Sequence, residues 1–283
     1  MRLRSLLFVP GDRPDQMLKA LRSGADALIL DLEDSVALQR KTEARAHVVA
    51  FLKTQQRALR LFVRINSLGS GMVPLDLAAI AHAAPDAVVV PKTEGAQSII
   101  ELHAQLHEAN MSSTLLLPIA TETPLAMFRL GEYATVASSL VGLTWGAEDL
   151  SAAVGAESAR ERDGRFTPPY EVARSMLLFA AYAAAVPAIE TVYPNFRDLQ
   201  GLTEYAQRGA RDGFVGMMAI HPTQVPIINA AFTPSLEVVE RARRIVAAFA
   251  AQPTAGVLNV DGAMLDAPHL KQAQRILAQA TDA

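Results

Sequence analysis

The chain has 283 residues, 51% of them hydrophobic, with 26 Lys and Arg against 29 Asp and Glu, a formal net charge of -3 and no cysteine. A chain this long and apolar fills a sizeable core without a disulfide or structural metal, and its size suits one α/β barrel or two small domains. The missing cysteines exclude thiol nucleophiles, thiolate zinc sites and iron–sulfur clusters, and the near balance of charge argues against nucleic-acid or membrane-surface partners.

After Arg2 and Arg4 the first apolar stretch stops at Pro10-Gly11, too short for the core of a signal peptide. The most apolar window, residues 176–189, is mostly alanine and contains Pro187. It falls short of the ~20 apolar residues of a membrane span and reads as a buried helix followed by a strand. A soluble, cytoplasmic protein without a membrane segment is expected.

Eight short apolar runs follow one another at residues 5–10, 27–33, 61–66, 87–92, 115–121, 140–146, 187–194 and 216–222. They are continuous rather than alternating, as strands covered on both faces are. Helical patterns separate them. Residues 41–56 carry Val48, Val49, Phe51 and Leu52 among charges, and residues 95–109 place Ile99, Leu102 and Leu106 on one face. Thr233-Pro234 reads as an N-cap and first turn, ahead of Leu236, Val239, Ala242, Val246 and Phe249 at helical spacing. Strands alternating with helices predict a parallel sheet, and eight is the count that closes a TIM (β/α)8 barrel; a doubly wound open sheet is the alternative. We assign residues 1–252 to the barrel and 253–283 to a C-terminal extension.

Function in a barrel gathers at the C-terminal ends of the strands. Five successive runs end in charge: Asp31-Leu32-Glu33-Asp34, Arg64-Ile65-Asn66-Ser67, Pro91-Lys92-Thr93-Glu94, Thr121-Glu122-Thr123 and Gly146-Ala147-Glu148-Asp149. Carboxylates converging from different strands suit a hard divalent cation such as Mg2+, which prefers oxygen ligands and keeps some of its waters. Arg64 suits a two-pronged clamp on a substrate carboxylate. The simpler reading is that acids such as Asp34 and Glu94 cap the helices that follow. Glu122 and Asp149 each directly end a buried strand, which favours the metal. His103 and His107 lie four apart on a predicted helix but lack the glutamate of a zinc-protease motif, and they belong to a solvated face. Trp145 packs near the mouth of the sixth strand, and His221 ends the eighth either as a substrate contact or as a structural residue.

Five segments occur in the order Arg4-Ser5-Leu6-Leu7-Phe8-Val9-Pro10-Gly11, Leu30-Asp31-Leu32-Glu33-Asp34-Ser35-Val36, Val63-Arg64-Ile65-Asn66-Ser67, Pro91-Lys92-Thr93-Glu94 and Gly146-Ala147-Glu148-Asp149-Leu150. Val192-Tyr193 with Phe196-Arg197-Asp198, and Ile220-His221-Pro222 with Gln224, add to them. Together they resemble the citrate lyase β-subunit-like family, within the HpcH/HpaI aldolase and malyl-CoA lyase superfamily, over nearly the whole chain. The resemblance implies a TIM barrel assembled as a homotrimer or hexamer. It implies that Glu122 and Asp149 bind Mg2+ beside the substrate, that Glu33 and Asp34 hold metal-bound waters, and that Arg64 grips the carboxylate of a 2-oxo acid such as oxaloacetate, glyoxylate or pyruvate. Lys19 matches a lysine that contacts CoA phosphates. The segment from Asp261 to Pro268 matches a lid that reaches a neighbouring subunit's site, with Asp266 as the acid/base. The implied activity is a carbon–carbon lyase that cleaves, or in reverse condenses, a 3-hydroxy-3-carboxyacyl-CoA of the citryl, malyl or citramalyl type, giving an acyl-CoA and a 2-oxo acid. An aldolase of free 2-oxo acids, or a subunit that only binds an oxo acid or an acyl-carrier protein, are the alternatives. The chain departs from the family pattern at Met217, where the family carries a lysine after the glycine of strand eight.

Overall fold

The computed structural model describes residues 2–54 and 59–281. Positions 55 and 56 of the predicted helix 41–56 lie outside the described residues. Leu3–Asn229 form one compact unit. It runs β1 (Ser5–Pro10), α1 (Pro14–Ala20), β2 (Ala27–Asp31), α2 (Lys41–Thr54), β3 (Arg60–Arg64), α3 (Val73–Ile80), β4 (Ala87–Val90), α4 (Ala96–Glu108), β5 (Leu115–Pro118) and α5 (Pro124–Met127). It continues with β6 (Leu143–Thr144), α6 (Ala147–Ala153), α7 (Pro168–Ala183), β7 (Ala188–Glu190), α8 (Leu199–Asp212) and β8 (Gly216–Ala219); α9 (Val225–Ala231) follows.

The strands pair in parallel in the order β5-β4-β3-β2-β1-β8-β7-β6. Parallel bridges from Leu116 to Leu140 and from Ile119 to Thr144 join the two ends, so the sheet closes into a barrel rather than staying open. Each predicted run contains one strand. The sixth is the least regular, with only two of its residues in β6.

In the β1–β2–β3–β4 register Phe8 meets Ile29, Ile29 meets Phe62, and Phe62 meets Ala87. With Leu6, Ala27, Val89, Leu117, Ile119, Ile189 and Met218 these side chains fill the barrel. The residues between them, among them Leu28, Leu30, Val88 and Val90, are equally buried. Successive strand side chains point to opposite faces. Both faces are therefore dry, which is why the runs are continuous in sequence. The same alternation places Asp31, two residues after Ile29, and Arg64, two after Phe62, at one end of the filled interior, opposite each other in register.

Local sequence sets the helices. Thr123 caps α5 by accepting the Ala126 N–H at 3.2 Å, and Asp198 caps α8 by accepting the Gly201 N–H at 2.9 Å. Gly213 ends α8 in the left-handed region at φ 114°. The predicted apolar faces hold in α4 (Ile99, Leu102, Leu106) and in α2 (Val48, Phe51, Leu52), with Val49 half-buried beside the latter.

Arg2 and the described residues from Ala230 onward form a second compact unit, with α10 (Leu236–Ala251), β9 (Val257–Val260), β10 (Ala263–Asp266) and α11 (Ala267–Thr281). Its core gathers Ala242, Ile245, Phe249, Leu258, Leu265 and Ala273. The cap of α10 is Ser235, whose Oγ accepts the Val238 N–H at 3.3 Å, and not Thr233. The buried face accordingly runs through Val239, Ala242, Ile245 and Phe249, and Leu236 is 84% exposed. Antiparallel β9 and β10 turn at Asp261 (φ 54°) and Gly262 (φ 81°), the two left-handed residues that a tight hairpin of this twist requires. No helix among the described residues is long and apolar enough to cross a membrane.

Glu190 stands out in the barrel wall. It is fully buried and accepts from Trp145 Nε1 at 2.6 Å, Tyr205 Oη at 2.7 Å, Arg174 Nε at 2.7 Å and the Thr191 N–H at 3.0 Å. Removing the carboxylate strands a buried phenol and an indole and leaves the Arg174 guanidinium paired with Asp212 alone. Glu190→Ala is expected to cost about 3–5 kcal/mol in a urea titration, whereas a loss under about 1 kcal/mol would show the network contributes little.

Candidate active site

The charged strand ends meet at one mouth of the barrel. Asp31 is the innermost. It is 1% exposed and accepts Arg64 Nε and Nη2, each at 2.7 Å, in a two-pronged pair. It also accepts the Ser35 hydroxyl at 2.5 Å and the Glu33 and Ser35 N–H groups at 2.9 and 3.1 Å, which pins the loop after β2. Burial pushes the Asp31 carboxyl up, but Arg64 and these hydrogen bonds outweigh it and hold the group below the usual carboxylate range. Lys41 clamps the same loop from below, donating to the carbonyls of Leu32 and Glu33 at 2.7 Å each. The Arg64 guanidinium lies over the Phe8 ring, 4.7 Å from its centroid, and its Nη1 is 3.1 Å from Glu33 Oε2.

Lys92 joins the remaining acids. Its Nζ is 2.6 Å from Glu33 Oε1, 3.3 Å from Asp149 Oδ1 and 3.5 Å from Asp34 Oδ2. Its own N–H donates to Glu122 Oε2 at 2.6 Å. This double use goes with an unusual backbone: Lys92 sits at φ 54°, a left-handed conformation that costs a side-chain-bearing residue energy and persists where its surroundings hold it. Burial works against the ammonium charge, yet Glu33, Glu122 and Asp149 outweigh it and raise the Lys92 pKa.

Glu122 is 4% exposed. Burial, and then the nearby Asp149 charge, push its pKa up to about 8. Glycine at position 146 makes room for it, since a Cβ there would lie 2.8 Å from both Glu122 Cγ and Oε1. Asp149 projects from the first turn of α6 with about a third of its side chain exposed, and Asp34 is more open. Glu33 is buried, and its pKa is raised by burial despite Arg64 and Lys92. Among the described residues no three His, Asp or Glu side chains form a closed metal cage. Glu122 and Asp149 are oxygen donors of the kind that could hold a hard cation if waters or substrate oxygens completed its shell.

The structure thus brings Arg64, Glu33, Asp34, Glu122 and Asp149 into one cluster around Lys92. Lys19 lies on α1, largely exposed, with Nζ 3.5 Å from Asp15 one turn earlier. Asp266 ends β10 in the second unit and contacts His269 Nδ1 at 2.5 Å. Glu94 braces the β5 loop by accepting the Thr123 hydroxyl at 2.7 Å. His221 caps a turn through Thr223 and stacks on Phe196 with ring centroids 4.8 Å apart, a structural placement. Trp145 is fully buried at the end of β6. The sequence assigned no role to Asp31, Lys41 or Lys92. The one signal for Asp31 was that it ends an apolar run, as Arg64 ends the next; their pairing is a matter of register.

Asp31 carries a testable stability term. Because its folded pKa lies below its unfolded value, its contribution is present above the unfolded pKa of about 3.9 and is lost as pH falls through the folded value. Asp31→Asn is expected to cost about 3–5 kcal/mol at pH 7, because it leaves Arg64 uncompensated, and to flatten the acid limb of the stability curve. Urea titrations between pH 7 and pH 2 check this, and an unchanged acid limb would contradict it.

Residues 4–222 match the family model described as HpcH/HpaI aldolase/citrate lyase. The chain is 37% identical over 281 residues to a citrate lyase subunit beta-like protein of Mycobacterium tuberculosis, covering 98% of this chain and 95% of that one. It is 32% identical over 295 residues to the mitochondrial citramalyl-CoA lyase of Mus musculus, covering 98% of this chain and 86% of that one. Its fold superposes with a TM-score of 0.81, at 35% identity and 98% coverage of each chain, on the crystal structure of the CitE protein of M. tuberculosis in complex with magnesium, acetoacetate and coenzyme A. With this similarity extending over nearly the full length, the chain belongs to the HpcH/HpaI aldolase/citrate lyase family.

Proposed function

We propose that this protein is a Mg2+-dependent carbon–carbon lyase. It cleaves a 3-hydroxy-3-carboxyacyl-CoA to an acyl-CoA and a 2-oxo acid, or runs the reverse condensation. The observation that carries this reading is the cluster itself: two adjoining carboxylates, Glu122 and Asp149, beside a guanidinium fixed by Asp31. The relatives named above bind magnesium, a small oxo acid and coenzyme A, or cleave a citramalyl thioester, and they support the same chemistry here.

Glu122 and Asp149 would hold the cation, and Glu33 and Asp34 its waters. When bound, Mg2+ polarises the substrate hydroxyl and the carboxylate next to it. Burial, and after it the Asp149 charge, raise the Glu122 pKa, and a cation held there would offset both. Arg64 supplies a fixed positive charge. Two of its nitrogens are committed to Asp31, so it meets the oxo-acid carboxylate through Nη1, on the edge that faces Glu33. The buried floor beneath it excludes water and strengthens the attraction. Lys19 contacts the anionic end of the thioester. Asp266, carried on the β9–β10 hairpin of a neighbouring copy, exchanges a proton with the thioester α-carbon. Residues 253–283 act as that copy's lid, packed on α10 in the same compact unit, and the assembly is a cytoplasmic homotrimer or hexamer.

Purified protein incubated with citryl-, malyl- and citramalyl-CoA tests the reading. One ester is expected to release its 2-oxo acid only with Mg2+, and Glu122→Ala and Asp149→Ala are each expected to lose about 100-fold or more in kcat/KM. Cleavage that persists in EDTA would remove the metal role. Cleavage of a free 2-hydroxy acid with all three CoA esters untouched would assign an aldolase, and no cleavage without an acyl-carrier protein would assign a binding subunit.

A further inference from the structure

Asp266 does not stand alone. His269 Nδ1 lies 2.5 Å from Asp266 Oδ1 and 3.2 Å from the Asp266 backbone nitrogen. Both side chains are about half exposed, so the pair faces solvent at the start of α11 rather than being locked in a core. One nitrogen therefore meets two groups with opposite demands. If Nδ1 is unprotonated, its single lone pair points to the shorter contact, where a protonated carboxyl donates to it, and the backbone N–H is a weaker second donor. If Nδ1 carries a hydrogen, it donates to the carboxylate. The Nδ1–Oδ1 contact serves both placements of the proton, whereas the backbone N–H is satisfied only when Nδ1 is unprotonated.

We infer that His269 is a positioning residue for Asp266, fixing the rotamer of its carboxyl and stabilising it in both the protonated and the ionised form during proton exchange with the thioester α-carbon. The inference rests on the lyase reading above. In cleavage, the bond between the hydroxyl-bearing carbon and the thioester α-carbon breaks and its electron pair stays on the α-carbon. The hydroxyl proton leaves to solvent as the carbonyl of the oxo acid forms. The α-carbon takes the carboxyl proton of Asp266, leaving a carboxylate against the imidazole, and solvent returns one proton to the pair. Condensation runs these transfers backwards.

The backbone contact alone would be an ordinary reciprocal helix cap, in which a side chain three residues into the helix bonds back to the cap residue's N–H. Glutamine fills that role as well as histidine but exchanges no proton at neutral pH. His269→Gln therefore separates the two roles. In the full-length protein, with the CoA ester that the wild type cleaves, His269→Gln is expected to keep KM within about twofold and to lose about tenfold or more in kcat. Exchange of acetyl-CoA methyl protons with D2O, in the presence of Mg2+ and pyruvate, should slow in step, and added imidazole should restore part of the rate of His269→Ala. A wild-type kcat in His269→Gln, alongside an inactive Asp266→Asn, overturns the inference alone. A fully active Asp266→Asn, or a wild type that cleaves none of the three esters, overturns the lyase reading and the inference with it.

Discussion

The mouth of this barrel depends on how its charges are offset. Asp31, Glu33, Asp34, Glu122 and Asp149 supply five carboxylates, and Arg64 and Lys92 supply two cations. The innermost acid is neutralised by a paired guanidinium in the driest part of the site. Of the outer four, Glu33 lies between Arg64 and Lys92, Asp34 and Asp149 face the Lys92 ammonium, and Glu122 is held by the Lys92 N–H and feels the Asp149 charge. Like charges this close and this poorly solvated repel strongly. At Glu122 burial first, and the Asp149 charge second, push the pKa up to about 8. Under the proposed lyase reading, a divalent cation held by Glu122 and Asp149 would keep positions open for a hydroxy-acid substrate.

The scaffold accounts for this arrangement. Strand alternation fills the barrel with Ile29, Phe62 and their neighbours, and then ends β2 and β3 on Asp31 and Arg64 at the same level. The pair is thus forced into a low-dielectric position where each group needs the other. Lys92 works one layer further out. Its left-handed backbone lets one residue hold Glu122 with its N–H and reach Glu33, Asp34 and Asp149 with its side chain. Glycine at position 146 leaves the space that Glu122 occupies.

Much of this was legible in the sequence. Continuous apolar runs gave all eight strands, because burial on both faces removes the polar residues that would interrupt them. Charges at five successive run ends marked the mouth. Lys92 escaped notice as a site residue because nothing in a lysine side chain signals a positive φ. Asp31 was visible only as one acid among three, and register, which a sequence does not display, singled it out. The helix cap at Ser235 rather than Thr233 was a choice between two residues of similar capping preference, decided by which side chain reaches the third amide. The hairpin at Asp261-Gly262 was not read from the sequence, because the flanking runs are too short to announce strands by periodicity.

Calorimetric titration of Mg2+ into the wild type and into Glu122→Gln, each with pyruvate present, tests the central claim most directly. The account expects one Mg2+ per chain in the wild type and no measurable binding in the variant. Equal binding in the two proteins would contradict it, because the charge surplus at the barrel mouth would then not be what holds the metal.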